Sequence, residues 1–106
     1  MKTLIVPCAG KKNWYNNRET IPENMNEIKN LQEQGAQIVI TTSRTEEFRK
    51  DLEEILSENG IKPYALLMGL NHAARVVIND FAPTNPYPSG IAVTIPRNSL
   101  IGDYLK

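Results

Sequence analysis

Five short apolar runs alternate along the chain with two stretches of helical periodicity. Residues 2–7, 36–41, 61–68, 75–79 and 91–95 are rich in Ile, Val and Leu and are bounded by Gly, Pro, Asn or Asp. Runs of that length and composition predict buried strands. Between the first two, Met25, Ile28 and Leu31 recur at three-residue intervals after Pro22, and Gly35 follows. Pro at a first helical position and Gly just past the end predict a helix over residues 22–34. Phe48, Leu52, Ile55 and Leu56 line one face of a second helix, which Asn59-Gly60 ends. Ser43 and Glu46 stand in the Ser-x-x-Glu spacing of a capping box and predict its start. Residues 11–21 are polar with no clear period and read as a loop, residues 70–74 as one helical turn, and the Pro-rich stretch 83–88 as a second loop.

Alternation of strands and helices predicts an α/β domain: an open parallel sheet of about five strands, Rossmann-like, with right-handed crossovers and helices on both faces. Near-continuous apolar strands agree with burial on both sides. At 106 residues the chain fits a single domain, 1–106. Twelve basic and twelve acidic residues cancel, so no net field attracts nucleic acid or an anionic membrane. The single cysteine excludes an intrachain disulfide and a cysteine-built zinc site. The apolar opening Thr3-Leu4-Ile5-Val6 is too short to span a membrane or serve as a secretory segment. The expectation is a cytoplasmic protein without nucleic-acid or membrane partners.

Candidate chemistry gathers at the strand ends, where open α/β sheets bind ligands. The second strand ends in Thr41-Thr42-Ser43-Arg44. Hydroxyls, backbone N–H groups and a helix start around one point make a phosphate cradle; alternatively Ser43 only caps the helix and Thr41 only fills a strand position. The fourth run ends in Asn79-Asp80. A carboxylate there can share a magnesium ion with waters and phosphate oxygens, or it caps a turn or pairs with Arg44 or Arg75. Asn71 and the only histidine, His72, follow Gly69-Leu70; His72 suits proton transfer or plain surface exposure. Cys8, with Lys11 and Lys12 nearby, reads as a reactive or a structural thiol. The two lysines attract an anion or stand solvated. Trp14 and Tyr15 stack a sugar or base, or pack over the sheet end.

From about Ile21 onward the chain resembles the haloacid-dehalogenase-like superfamily, in particular the small members associated with capsule and surface polysaccharide. The resemblance rests on Ile40-Thr41-Thr42-Ser43-Arg44, the Gly before that strand, and the late Ile78-Asn79-Asp80-Phe81-Ala82-Pro83. It implies that Thr42 binds a transferred phosphoryl group beside Arg44, with Thr41, Ser43 and Asn71 around it, and that Asp80 helps bind magnesium. The family's nucleophile and general acid/base are an Asp-x-Asp at the end of strand one, where this chain has Pro7 and Ala9. Its lysine before the fourth strand is also lacking, and Asn79 replaces one of the paired acids. The first ten residues, up to Pro7-Cys8-Ala9-Gly10, are similar to the opening of sugar nucleotidyltransferases, whose Gly-rich loop holds a nucleotide.

Without a nucleophile, binding groups alone do not accelerate phosphoryl transfer. The resemblance therefore implies a catalytically degenerate domain that binds phosphate or a sugar phosphate in surface-polysaccharide synthesis. Two alternatives stand beside it. One is an active magnesium-dependent phosphatase that uses Asp80; the other is an interaction module in which Trp14, Tyr15 and Tyr87 form the contact surface.

Overall fold

The computed structural model describes residues 3–7, 21–97 and 99–105. It is an α/β fold with an open parallel sheet of three strands, β1 (Thr3–Pro7), β2 (Gln37–Thr41) and β3 (Ala65–Leu67), ordered β1-β2-β3. Two helices connect them: α1 (Pro22–Glu33) precedes β2, and α2 (Arg49–Glu58) lies between β2 and β3. A 3-10 turn, Ile101–Asp103, packs against α1 near the chain end.

Both helices end as the sequence predicts. Gly35 takes φ 97° and Gly60 φ 72°. In each case the glycine N–H bonds one carbonyl of the last turn and the following residue bonds another: Gly35 to Gln32 and Ala36 to Leu31, then Gly60 to Ser57 and Ile61 to Leu56. These paired bonds are Schellman closures, which need a left-handed residue after the helix. Pro22 opens α1 from an extended Ile21.

The parallel register places Val6 beside Ile40 and Ile40 beside Leu66, with Leu4 beside Ile38. These residues share one face of the sheet. Val6, Ile38, Ile40 and Leu66 form a buried core with Met25 and Ile28 of α1 and Leu52, Ile55 and Leu56 of α2, against which the half-buried Leu4 packs. Both helices therefore cover the same face, not both faces as predicted. An order that follows the chain produces this result, because successive right-handed crossovers then leave the sheet on the same side. On the other face, Ile5 and Leu67 are exposed and Val39 is half-buried.

Three strands stand among the described residues instead of about five. Residues 75–79 and 91–95 form no strand, no helical turn forms over 70–74, and the third strand is shortened to Ala65–Leu67. The stretch from 79 to 89 closes on itself. Asn79 donates to the Ser89 carbonyl at 3.2 Å, Asn85 to the Asp80 carbonyl at 3.1 Å, and Ala82 and Asn85 exchange backbone bonds. Phe81 and Tyr87 meet edge to face at 5.5 Å. Strand propensity takes effect only where a neighbouring strand and a packed face receive it. Here local amide bonds and three prolines (Pro83, Pro86, Pro88) favour a loop.

Candidate functional site

The carboxyl end of β2 is knitted to the loop that follows β3. Thr42 donates its N–H to the Leu67 carbonyl at 3.0 Å, and its own carbonyl accepts from Leu70 N–H at 3.1 Å. Gly69 N–H donates to the Arg44 carbonyl at 2.7 Å, and the Ser43 hydroxyl donates to the Asn71 carbonyl at 3.4 Å. The Thr42 hydroxyl accepts from Arg44 N–H at 3.1 Å, a local turn that Ser and Thr favour after strands. Thr41, Thr42 and Arg44 are all buried, Ser43 is half-buried and Asn71 is exposed. The structure thus brings all five residues expected to hold phosphate, Thr41, Thr42, Ser43, Arg44 and Asn71, to one sheet end. At the same end Pro7 stands opposite Thr41 in the β1–β2 register.

One expected component lies elsewhere. Ser43 does not cap a helix: a 3-10 turn occupies Glu46–Phe48 and α2 begins at Arg49, with no side-chain cap on either. Glu46, the second half of the predicted capping box, instead binds Arg49 through both oxygens, at 2.6 and 2.9 Å. That hydrogen bond holds the Glu46 carboxyl below the ordinary carboxylate range and raises Arg49 further. The 3-10 turn thus stands between Thr42 and the start of α2.

Asp80 is exposed and belongs to the closed 79–89 loop, where its N–H bonds the Asn79 side chain at 3.1 Å. Among the described residues no three His, Cys, Asp or Glu side chains gather to hold a metal ion. His72 is exposed beside Asn71. Cys8, Ala9, Lys11, Lys12, Trp14 and Tyr15 lie outside the described residues.

Arg75 is a member of this neighbourhood that strand periodicity conceals. Its Nη1 donates to the Asn71 and Ala73 carbonyls at 2.9 and 2.6 Å. It stands at the rim of a shallow groove of about 320 Å³ on the helix-free face, which Ile5, Val39, Thr41 and Leu67 floor. Arg49 Nη2 likewise donates to the Leu66 carbonyl at 3.0 Å and ties the start of α2 to β3. Its sequence signal was the Glu46–Arg49 spacing, one helical turn apart.

Comparison of the chain with protein-family models, curated proteins and solved structures gave no match. Among the described residues, no helix is long and apolar enough to cross a membrane.

Proposed function

We propose that this chain binds phosphate or a sugar phosphate at the carboxyl end of β2 without hydrolysing it, as a degenerate haloacid-dehalogenase-like domain serving surface-polysaccharide synthesis. The observation that carries this reading is the meeting of Thr42, Ser43 and Arg44 with the Gly69–Asn71 loop at one sheet end. Hydroxyls and an arginine are groups that receive a phosphate dianion. Pro7 opposite Thr41 supports the non-catalytic half of the proposal. A proline there has no lone pair to attack phosphorus and no proton to transfer, and covalent transfer requires a positioned nucleophile.

The test is titration of the full chain with inorganic phosphate and with a hexose phosphate, followed through backbone amide resonances. Saturable shifts at Ser43, Arg44 and Gly69 in the millimolar range, lost in Arg44→Gln, are the expected result. Unmoved amides would reject the proposal. Release of phosphate from an aryl phosphate, abolished by Asp80→Asn, would replace it with the phosphatase reading.

A further inference from the structure

We infer that Asn59-Gly60 is a deamidation site gated by the end of α2: the closed helix end protects Asn59, and the opened end lets it convert to a residue that no longer fits the closed form. It is the chain's only Asn-Gly pair, and glycine, without a Cβ, leaves its backbone nitrogen open to approach. In the reaction the Gly60 nitrogen bonds to Asn59 Cγ and gives up its proton. The Cγ–Nδ2 bond breaks, and Nδ2 leaves with that proton as ammonia. Water then opens the five-membered imide at either carbonyl, leaving an aspartyl or an isoaspartyl residue.

The structure keeps the reacting atoms apart. Asn59 has φ −97° and ψ 7°, so the Gly60 nitrogen eclipses Asn59's own backbone nitrogen and is turned away from the Cβ that carries the amide. The Gly60 N–H, whose proton must leave, donates to the Ser57 carbonyl at 3.0 Å. Asn59 Nδ2, the leaving group, donates to the Ile55 carbonyl at 2.8 Å. Gln32 of α1 grips the turn from the other side. Its Nε2 donates to the Gly60 carbonyl at 3.1 Å, and its Oε1 accepts from Lys62 N–H at 2.7 Å. Reaching the imide therefore requires a local opening of the helix end.

The products do not fit the closed end. Aspartate at position 59 loses the donor to Ile55 and sets a negative charge at the negative end of the α2 dipole. An isoaspartyl link lengthens the backbone between residues 59 and 60, just where Gly60 bonds Ser57 and Ile61 bonds Leu56. Ile61 is 2% exposed in the core, so a displaced closure draws a core side chain outward. The modification thus runs one way and records each opening of α2.

Peptide mapping of the full chain by mass spectrometry, after incubation at mildly alkaline pH with and without guanidinium chloride, tests this. Deamidation at Asn59 should be at least about tenfold slower in buffer than in denaturant, as for a reaction that proceeds through an opened state. Gln32→Ala should speed it several-fold in buffer and leave the rate in denaturant unchanged. Asn59→Asp should unfold at a lower denaturant concentration than the unmodified chain. Equal rates in buffer and denaturant overturn the proposal, as does an Asn59 that stays intact in both, and neither result depends on a variant folding. An Asn59→Asp chain as stable as the unmodified one overturns the one-way consequence.

Discussion

Asn24 accepts a hydrogen bond at 2.9 Å from the backbone N–H of Ile101, 77 positions further along the chain. Its Nδ2 donates to the Ser99 carbonyl, also at 2.9 Å. The side chain is 3% exposed, so a single buried amide fastens the last described segment onto α1. Replacing it by Ala leaves a part-buried N–H and C=O without that partner. Asn24→Ala is expected to cost about 1–3 kcal/mol. Urea denaturation would measure the loss, and limited proteolysis should then cut first near residues 99–105. Asn24→Asp retains the acceptor but sets a carboxylate against a carbonyl, and should be the worse of the two.

Ile28 has no exposed surface and lies in the core shared by α1, α2 and the sheet. Truncation to Ala opens a cavity at the centre of a small domain, for which about 2–5 kcal/mol is the ordinary cost. Against total stabilities of about 5–15 kcal/mol, loss of a cooperative thermal transition is the expected outcome. An unchanged transition would mean that Ile28 does not hold the core together.

Gly60→Ala separates backbone strain from crowding. A Cβ there would meet Lys29 Cε at 3.1 Å, and that flexible side chain can swing aside. The left-handed φ of 72° remains, costing about 1–2 kcal/mol in an L-residue. Lys29→Ala combined with Gly60→Ala should recover little of that loss, and chemical denaturation of the single and double variants checks it.

The Glu46–Arg49 pair makes stability depend on pH in one direction. Arg49 lowers the folded-state pKa of Glu46, so the pair's contribution is fully present above the unfolded value, about 4.3. It disappears as pH falls through the lowered folded value. The stability difference between the unmodified chain and Glu46→Gln should therefore stay constant from neutral pH to about pH 5 and shrink below about pH 4. Salt should reduce it throughout, because the pair is solvent-exposed.

At the candidate site, Thr42→Val removes the hydroxyl that accepts from Arg44 N–H. An unsatisfied buried amide costs about 1–3 kcal/mol, and the Arg44 turn should loosen. Phosphate-induced shifts at Ser43 and Gly69 should weaken together in this variant, whereas Thr42→Ser should preserve both.

Sequence patterns anticipated the elements whose signals are local. Pro22 and Gly35 bracket α1, and Asn59-Gly60 ends α2, because caps and positive-φ residues act within a turn of the chain. The strand of Ile38 and Ile40 was equally plain, since its apolar residues meet two helices. The runs at 75–79 and 91–95 carry the same composition without the outcome. A strand is completed by a neighbour, and composition does not reveal whether one is present. The Ser43–Glu46 spacing misled for a related reason: Arg49, one turn beyond Glu46, competes for its carboxylate. Asn24 left a usable trace, standing four residues before Ile28 on the apolar side of α1, where a polar side chain requires a buried partner. Thr42, Ser43 and Arg44 were legible as a polar strand end, and Asn71 joined them only through the family resemblance; the role of Arg75 as a clasp on Asn71 was not legible.

The order β1-β2-β3 shapes how any small molecule would be received. In open α/β sheets a crevice opens where neighbouring strands send their connections to opposite sides. Here neighbours follow one another along the chain, and both helices lie on one side, so the described sheet contains no such reversal. A ligand at Thr42 would rest on a ledge rather than between walls. Such a surface discriminates by a few directed bonds instead of by enclosing shape.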